Sequence, residues 1–417
     1  MVMRSFIIDS IVLALCVLVA SCKEKTTTIV TPWGTTVETE GTDEQGTAAD
    51  TTSANSHYTL SDIQEGGEMI MLTLSGPDTY YDYHGKALGA HYMVCEKLAQ
   101  HLGVMLRVDV CKDTADMVRR LRNGEGDIIA FPLKRKDQVG FIKCGPEWTV
   151  GKNSKELAKI VRTWYKQNML ADAQRQEKTI LSTGIVTRRI YPVMLSAGKG
   201  QISNYDNLFR KYSSVAGVDW IMLAAQCYQE SCFDPKAHSW AGACGLMQIM
   251  PSTADHLGLP RDQMYSPEAN VAAAARLLRE LQNSFRDVGS PAERMKFALA
   301  AYNGGAFHIR DAMALTKKHG GIPQRWDDVK RYVLLLANAQ YYRDPVVKYG
   351  YMRGSETANY VDMIIQRHAQ YREALRTGGK VVSTVKSKKY DAENFYGPTS
   401  SAAAAHRATK KNKWRKE

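Results

Sequence analysis

The chain has no hydrophobic segment long enough to cross a membrane as a helix. Its longest unbroken apolar run covers residues 11–20, about half of what a bilayer span needs. Hydrophobic residues make up 44% of the 417 residues, which is ordinary for a globular protein. These features argue against a polytopic membrane protein. The length is sufficient for two domains, each with its own core.

The sequence also lacks the Cys and His spacing of a zinc site and the glycine-rich loop that binds phosphates. We therefore expect no metal and no cofactor. The formal net charge of +12 is unevenly placed: residues 376–417 hold eleven Lys and Arg against three Asp and Glu. Residues 23–57, in contrast, hold two Lys against six Asp and Glu. Most of the positive charge thus belongs to a tail, and we expect no nucleic-acid partner.

The first residues are typical of an exported lipoprotein. Arg4 precedes the apolar run, and small residues at 20 and 21 stand directly before Cys22. We interpret residues 1–21 as a signal peptide, and this segment resembles a lipobox, in which the cysteine is lipidated. A plain secretory signal with an incidental cysteine is the alternative. We expect a lipid-anchored protein of the cell envelope, at the outer membrane and facing the periplasm.

Composition divides the rest of the chain into segments and predicts an α+β protein of two domains. Residues 22–57 are acidic and rich in threonine, without apolar periodicity, and indicate a disordered tether. Residues 58–170 alternate strand and helix patterns, including a helix over Gly89–Leu102 and strands over 104–110 and 127–133, and predict an α/β domain. The remaining predicted segments are a connector (171–201), a mostly helical domain (202–375) and a basic, disordered tail (376–417).

The most informative stretch is residues 224–251. Asp219 is a favourable N-cap for the helix that leads into it, and on that helix Leu223, Cys227 and Glu230 share one face. An acid on an apolar face is desolvated, which raises its pKa. A carboxyl that stays neutral near pH 7 can protonate a glycosidic oxygen, so Glu230 is the candidate acid.

Four motifs resemble the catalytic domain of the soluble-lytic-transglycosylase family, bacterial enzymes that cut peptidoglycan glycan strands. They are Glu230-Ser-Cys-Phe, Gly242-Ala-Cys-Gly-Leu-Met-Gln248, Ala301-Tyr-Asn-Gly304 and Arg353-Gly-Ser-Glu-Thr-Ala-Asn-Tyr360. The resemblance implies a lysozyme-like fold for residues 202–375 and peptidoglycan glycan strands as the partner. It also implies substrate-binding roles for Ser239, Met247, Gln248, Tyr302, Asn303 and Tyr360.

The same resemblance implies a mechanism with one acid. Glu230 would protonate the oxygen between N-acetylmuramate and N-acetylglucosamine. As a carboxylate it would then take the proton of the muramyl 6-hydroxyl while a 1,6-anhydro ring closes. Met247 and Tyr302 also have a simpler interpretation, since methionine and tyrosine are often core residues.

The α/β segment contains the motifs Tyr80-Tyr81, Gly89-x-x-Tyr92, Leu98-Ala-x-x-Leu-Gly103 and Gly126-Asp-Ile-Ile-Ala. In these it resembles one lobe of an amino-acid-type solute-binding protein, as in the membrane-bound type F members of the family. Only fourteen residues separate Leu133 from Trp148, where a second lobe would be inserted. The resemblance therefore implies a truncated lobe. Its role is either docking or regulation without ligand capture, or sensing of a muropeptide or amino acid.

Further alternatives stay open at this point. Glu356 precedes Tyr360 by one helical turn, and as a second acid it would favour a hydrolytic muramidase, whereas near a helix N-terminus it is simply favourable. Cys232 and Cys244 occupy the variable motif positions and form a candidate disulfide, with free thiols as the alternative. A non-catalytic envelope-binding or sensor lipoprotein is the other possible function.

Overall fold

The computed structural model describes residues 59–182 and 186–378, together with the strands β1 (Thr27–Val30) and β2 (Thr36–Thr39). These two strands belong to a unit of their own, residues 1–54, and pair antiparallel with Thr27 opposite Thr39. The sequence pattern predicts no strand in this segment. The signal peptide 1–21, Cys22, the rest of the tether 22–57 and the tail beyond residue 378 lie outside the described residues.

The second unit begins with an α/β domain. Its five-stranded sheet has the order β6-β3-β7-β9-β8, in which β3 is parallel to β6 and β7, and β9 is antiparallel to both its neighbours. The strands β4 and β5 form a separate antiparallel hairpin. The elements are α1 (Leu60–Gly66), β3 (Glu68–Thr73), β4 (Tyr81–Tyr83), β5 (Lys86–Leu88), α2 (Ala90–Leu102), β6 (Met105–Val110), α3 (Thr114–Arg122), β7 (Ile128–Ile129), β8 (Ile142–Cys144), β9 (Trp148–Val150), α4 (Lys155–Trp164) and α5 (Met169–Ser182).

The core of this domain lies between the sheet and the helices. Met71 and Trp148 of the sheet are fully buried in one cluster with Leu98 of α2 and Val161 of α4. The predicted helix over Gly89–Leu102 is confirmed, with Gly89 as its N-cap. The strand predicted over 127–133 is wrong in length, because pairing in β7 is limited to two residues.

Helix α5 lies in the segment that the sequence analysis interprets as a connector. It packs against α2, with Ala173 fully buried, and the Tyr81 hydroxyl donates to the buried carboxylate of Glu177 at 2.7 Å. The α/β domain therefore extends to residue 182. The sequence pattern is weak here because the large apolar residues of α5 that pack on the core stand at its two ends, at 169–170 and 180–181, with Ala173 and the paired Glu177 between them.

The second domain is mostly helical, as the sequence predicts. Its core contains the fully buried aromatic residues Phe209, Phe285 and Phe297 and the buried Trp326. The elements are β10 (Val186–Thr187), α6 (Asp206–Ala216), α7 (Trp220–Ser231), β11 (His238–Ser239), α8 (Pro251–His256), α9 (Pro267–Ser284), α10 (Pro291–Gly304), α11 (Ala306–Lys318), α12 (Trp326–Leu335), α13 (Ala339–Tyr342) and α14 (Gly354–Thr377).

Helix α14 packs against α7, α10 and α12. It begins at Gly354, where a Cβ atom would lie 1.8 Å from the carbonyl oxygen of Val333 in α12. Only glycine permits this close approach of the start of α14 to α12. Within the described ranges, no helix is long and apolar enough to span a bilayer.

Candidate active site

Glu230 lies in the last turn of α7. The helix starts as the sequence predicts: the Asp219 carboxylate accepts from the backbone N–H of Met222 at 2.8 Å and caps its N-terminus. Leu223 and Cys227, which share the face of Glu230, are fully buried. The local sequence therefore places one carboxyl at the border between the core and solvent.

Burial raises the pKa of Glu230 to about 7, although part of the residue remains accessible to solvent. The Tyr360 hydroxyl, which donates to Oε1 of Glu230, acts in the opposite direction, as do the nearby His84 and Arg188. Desolvation outweighs these effects because protein atoms surround the carboxyl. A glutamate with this pKa can carry a proton near neutral pH and release it during a reaction.

Two tyrosines predicted as cleft residues lie at the acid. Tyr360 of α14 is buried and receives a 3.3 Å hydrogen bond from Nε2 of Gln226 while it donates to Glu230. Tyr302 of α10 donates to the backbone carbonyl of Met247 at 2.7 Å, and burial raises the pKa of Tyr302, with a further contribution from the negative charge of Glu230. The phenol side chains of Tyr302 and Tyr360 thus both lie near the carboxyl of Glu230.

The loop after α7 folds back in a left-handed conformation. Cys232 and Phe233 have φ values of 52° and 63°, which residues with a side chain rarely adopt. Asn270 of α9 anchors the loop: its amide accepts from the N–H of Met247 at 2.8 Å and donates to the carbonyls of Cys244 and Met264 at 2.9 and 2.8 Å. This buried asparagine fixes the backbone next to the acid.

The predicted substrate-binding residues of this loop have mainly structural contacts. Ser239 Oγ accepts from the N–H of Ala243 at 2.9 Å, and the Gln248 amide donates to two loop carbonyls at 3.0 and 3.2 Å. Met247 is fully buried in the hydrophobic cluster. The expectation that its side chain lines a cleft is therefore not met in this structure, and the simpler core interpretation applies.

Asn303 and Glu356 also form hydrogen bonds that the sequence patterns do not predict. Asn303 accepts a 2.7 Å hydrogen bond from the Thr357 hydroxyl, which ties α10 to α14. Glu356 accepts from the Tyr83 hydroxyl at 2.5 Å and lies 3.6 Å from Nε2 of His84. Although Glu356 and Tyr360 are one turn apart, Glu356 faces the α/β domain and Tyr360 faces Glu230.

The environment of Glu356 differs from that of Glu230. Burial alone would raise the pKa of Glu356, but His84, the Tyr83 hydroxyl and Arg353 outweigh it and hold the pKa below its usual range. Glu356 is therefore ionised at neutral pH and is no proton donor. Glu230 and Glu356 thus have the same side chain, but their surroundings shift their pKa values in opposite directions.

The β4–β5 hairpin of the first domain reaches this site, which the sequence patterns do not predict. Besides its bond to Glu356, Tyr83 stacks on Trp240 with ring centroids 6.2 Å apart, and the guanidinium of Arg353 lies over the Tyr83 ring, with Cζ 5.1 Å from the ring centre. No local sequence pattern predicts these contacts, because Tyr83 is more than 150 residues from each of its partners in the chain.

The segment from β10 to α6 contacts the end of the helix that carries the acid, and no sequence pattern predicts this contact. Strand β10 pairs with β11, with Val186 opposite Ser239. Nη1 of Arg188 donates to the carbonyls of Gln229 and Glu230 at 3.2 and 2.8 Å, so a cation satisfies the C-terminal end of α7. The N–H of Arg189 donates to Asp234 at 2.6 Å.

The candidate disulfide between Cys232 and Cys244 is not present in this structure, where both thiols are free. The physical reason lies in their surroundings. Cys232 caps α7 in a left-handed conformation with its side chain at Tyr228, whereas the Cys244 thiol donates to the Gly242 carbonyl at 3.3 Å. Among the described residues, no group of three His, Cys, Asp or Glu side chains is arranged to hold a metal ion.

The chain is similar to known proteins. Residues 207–324 match the family model for the transglycosylase SLT domain. The membrane-bound lytic murein transglycosylase F of Serratia proteamaculans is 38% identical over 309 residues, covering 69% of this chain and 62% of that protein. The protein of the same name from Aeromonas hydrophila is 26% identical over 415 residues, covering 74% of this chain and 82% of that protein.

A solved structure also aligns with the chain. An inactive mutant of the lytic transglycosylase Slt from Pseudomonas aeruginosa has 21% sequence identity and a TM-score of 0.31, covering 42% of this chain and 24% of that one. The chain thus spans less than two thirds of the Serratia and Pseudomonas proteins. On the domain match and the similarity to the two type F proteins, the chain belongs to the transglycosylase SLT family.

Proposed function

We propose that the chain is a peptidoglycan lytic transglycosylase with Glu230 as its catalytic acid and base. The observation that carries this proposal is a single carboxyl with a pKa of about 7, set beside two buried or half-buried tyrosines inside the SLT domain. The names of the relatives, lytic murein transglycosylase F, support the same substrate class.

In the proposed reaction, neutral Glu230 donates its proton to the glycosidic oxygen between N-acetylmuramate and N-acetylglucosamine. The bond from that oxygen to C1 breaks, and the substrate's N-acetyl group stabilises the developing cation. Glu230, now a carboxylate, accepts the proton of the muramyl 6-hydroxyl, whose oxygen bonds to C1. The product ends in a 1,6-anhydro ring, no water is consumed, and Glu230 regains its proton.

The contacts of Glu230 suit both halves of this cycle. Burial favours the protonated form that must act first, while the Tyr360 hydroxyl stabilises the carboxylate formed after transfer. A hydrolytic muramidase would need a second carboxylate as nucleophile or base. Glu356, the candidate for that role, is engaged by Tyr83 and His84, which favours the one-acid mechanism.

The location is part of the same proposal. We infer a lipid anchor at Cys22 and a place in the cell envelope, at the outer membrane and facing the periplasm. The α/β domain would be the truncated solute-binding-protein-like lobe, and the helical domain would be lysozyme-like. The contacts of the β4–β5 turn with Glu356 and Trp240 support a regulatory or docking role for the first domain.

Digestion of purified sacculi tests the proposal. The wild-type protein should release glycan fragments with anhydro ends, which are lighter by one water than hydrolysis products, and Glu230→Gln should release none. Glu177→Gln is the matched control, because it changes a buried glutamate that is bonded to a tyrosine in the other domain. Products that contain the added water would identify a hydrolase, and absence of any wild-type turnover would favour a non-catalytic envelope lipoprotein.

A further inference from the structure

Gln226 is a fully buried glutamine in the middle of α7, one turn before Glu230. Its helix neighbours Leu223, Ala225 and Cys227 are also fully buried, so the amide lies in an apolar layer. A polar amide in such a layer is unfavourable unless its groups are hydrogen-bonded. A residue that fills this position without need of a partner would be aliphatic, and the glutamine therefore requires an explanation.

The side chain of Gln226 has one hydrogen-bond partner among the described residues. Its Nε2 donates to the Tyr360 hydroxyl at 3.3 Å, and its Oε1 is buried without a partner in the described part of the chain. The Tyr360 hydroxyl in turn donates to Oε1 of Glu230. The amide thus anchors no loop and caps no helix, and its one bond leads to the candidate acid.

We propose that Gln226 is a positioning residue that acts on Glu230 through Tyr360. A phenol hydroxyl can rotate, and it has one proton to donate. Because the amide N–H of Gln226 occupies the acceptor side of the Tyr360 oxygen, the phenol proton is directed to Oε1 of Glu230. The acid proton of Glu230 then resides on Oε2, the oxygen that is left for the substrate. This inference rests on the proposed function.

The same bond makes Tyr360 a better donor, because an oxygen that accepts a hydrogen bond gives a more polarised O–H. Gln226 should therefore stabilise the carboxylate that Glu230 becomes after proton transfer. The titratable and charged groups around this carboxyl are Tyr360 on α14, Tyr302 on α10, Cys227 on α7, His84 of the first domain and Arg188 before α6. Of these, Tyr360 is the one that Gln226 contacts.

The variant Gln226→Met tests the proposal, because methionine has a similar shape and cannot donate to Tyr360. We expect kcat on isolated glycan strands to fall roughly two- to tenfold with KM unchanged, which corresponds to one neutral hydrogen bond. The alkaline limb of kcat/KM should move to higher pH by about half a unit, since a weaker donor stabilises the carboxylate less. Gln282→Met is the matched control: it removes an amide that donates to the Ala216 carbonyl at 2.7 Å, away from the site.

A double-mutant cycle separates positioning from mere packing. In a Tyr360→Phe background, Gln226→Met should cause no further shift of the alkaline limb, because the hydroxyl that connects the two residues is absent. Thermal unfolding checks that each variant folds, and Gln226→Leu replaces Gln226→Met if the latter does not.

Two results would overturn the inference. One is a kcat and a pH profile of Gln226→Met equal to those of the wild type, and the other is a full shift that persists in the Tyr360→Phe background. Failure of the proposed function is distinguishable, because the wild type itself would then release no anhydro-ended fragments.

Discussion

Replacement of Tyr360 by phenylalanine should move the pH dependence of catalysis in a defined direction. The Tyr360 hydroxyl donates to Glu230, whose pKa is about 7, and this bond favours the ionised form. A hydrogen bond to a charged group contributes about 1.5–3 kcal/mol. Since one pKa unit corresponds to about 1.36 kcal/mol, its loss should raise the pKa of Glu230 by about 1–2 units.

The sign follows from the role of Glu230 as an acid. The free enzyme is active while Glu230 carries its proton, so kcat/KM falls as pH rises through the pKa, and in Tyr360→Phe this fall should occur at higher pH. The assay is the rate of release of anhydro-ended fragments from glycan strands between about pH 5 and 10, a window that covers the titration of Glu230 in both the wild type and the variant. Tyr371→Phe is the control on the same helix, because its hydroxyl donates to the Val193 carbonyl at 2.6 Å. An alkaline limb that stays in place, or moves to lower pH, would refute this account of the site.

Three further predictions concern the frame around the acid. Gly245→Ala should lower the thermal midpoint more than Gly258→Ala: both positions have positive φ, but a Cβ at Gly245 would lie 2.6 Å from Nδ2 of Asn270, while Gly258 has open space. Equal decreases in the thermal midpoint would show that the loop shifts to accommodate a methyl group at position 245. Arg188→Ala should weaken activity more than Arg189→Ala, because Arg188 binds the end of α7 through its side chain and Arg189 binds Asp234 through its backbone; the comparison is made by kcat on glycan strands. Peptide mapping without reductant should find Cys232 and Cys244 unpaired, and a Cys232–Cys244 peptide would contradict the free thiols of the structure.

Much of the fold is predictable because its signals are local. The Asp219 cap, the face shared by Leu223, Cys227 and Glu230, and the helix over Gly89–Leu102 depend on residues a few positions apart. The proximity of Tyr360 to Glu230 follows from the family motif and not from periodicity, since 130 residues separate them.

The remainder depends on long-range packing, which a local pattern does not contain. Helix α5 buries Ala173 and a paired acid in its middle and carries its large apolar residues at its two ends, so it lacks a helical apolar period and its sequence resembles a linker. The partner of Glu356 comes from the other domain, and Met247 is drawn into the core by the backbone anchor that Asn270 provides. A residue inside a recognised motif can thus stabilise the loop conformation rather than bind the ligand.

The residues that contact Glu230 or its helix extend beyond the matched SLT domain in both directions along the chain. The matched domain covers residues 207–324, but Arg188 precedes it and Tyr360 follows it. A fragment cut at the module borders would retain the carboxyl while losing its helix-end cation and its phenol partner. To transfer the active site to another protein, residues 186–378 are needed as one piece. Because His84 at the β4–β5 turn also lowers the pKa of Glu230, the pH dependence of such a fragment would depend on whether that turn is present.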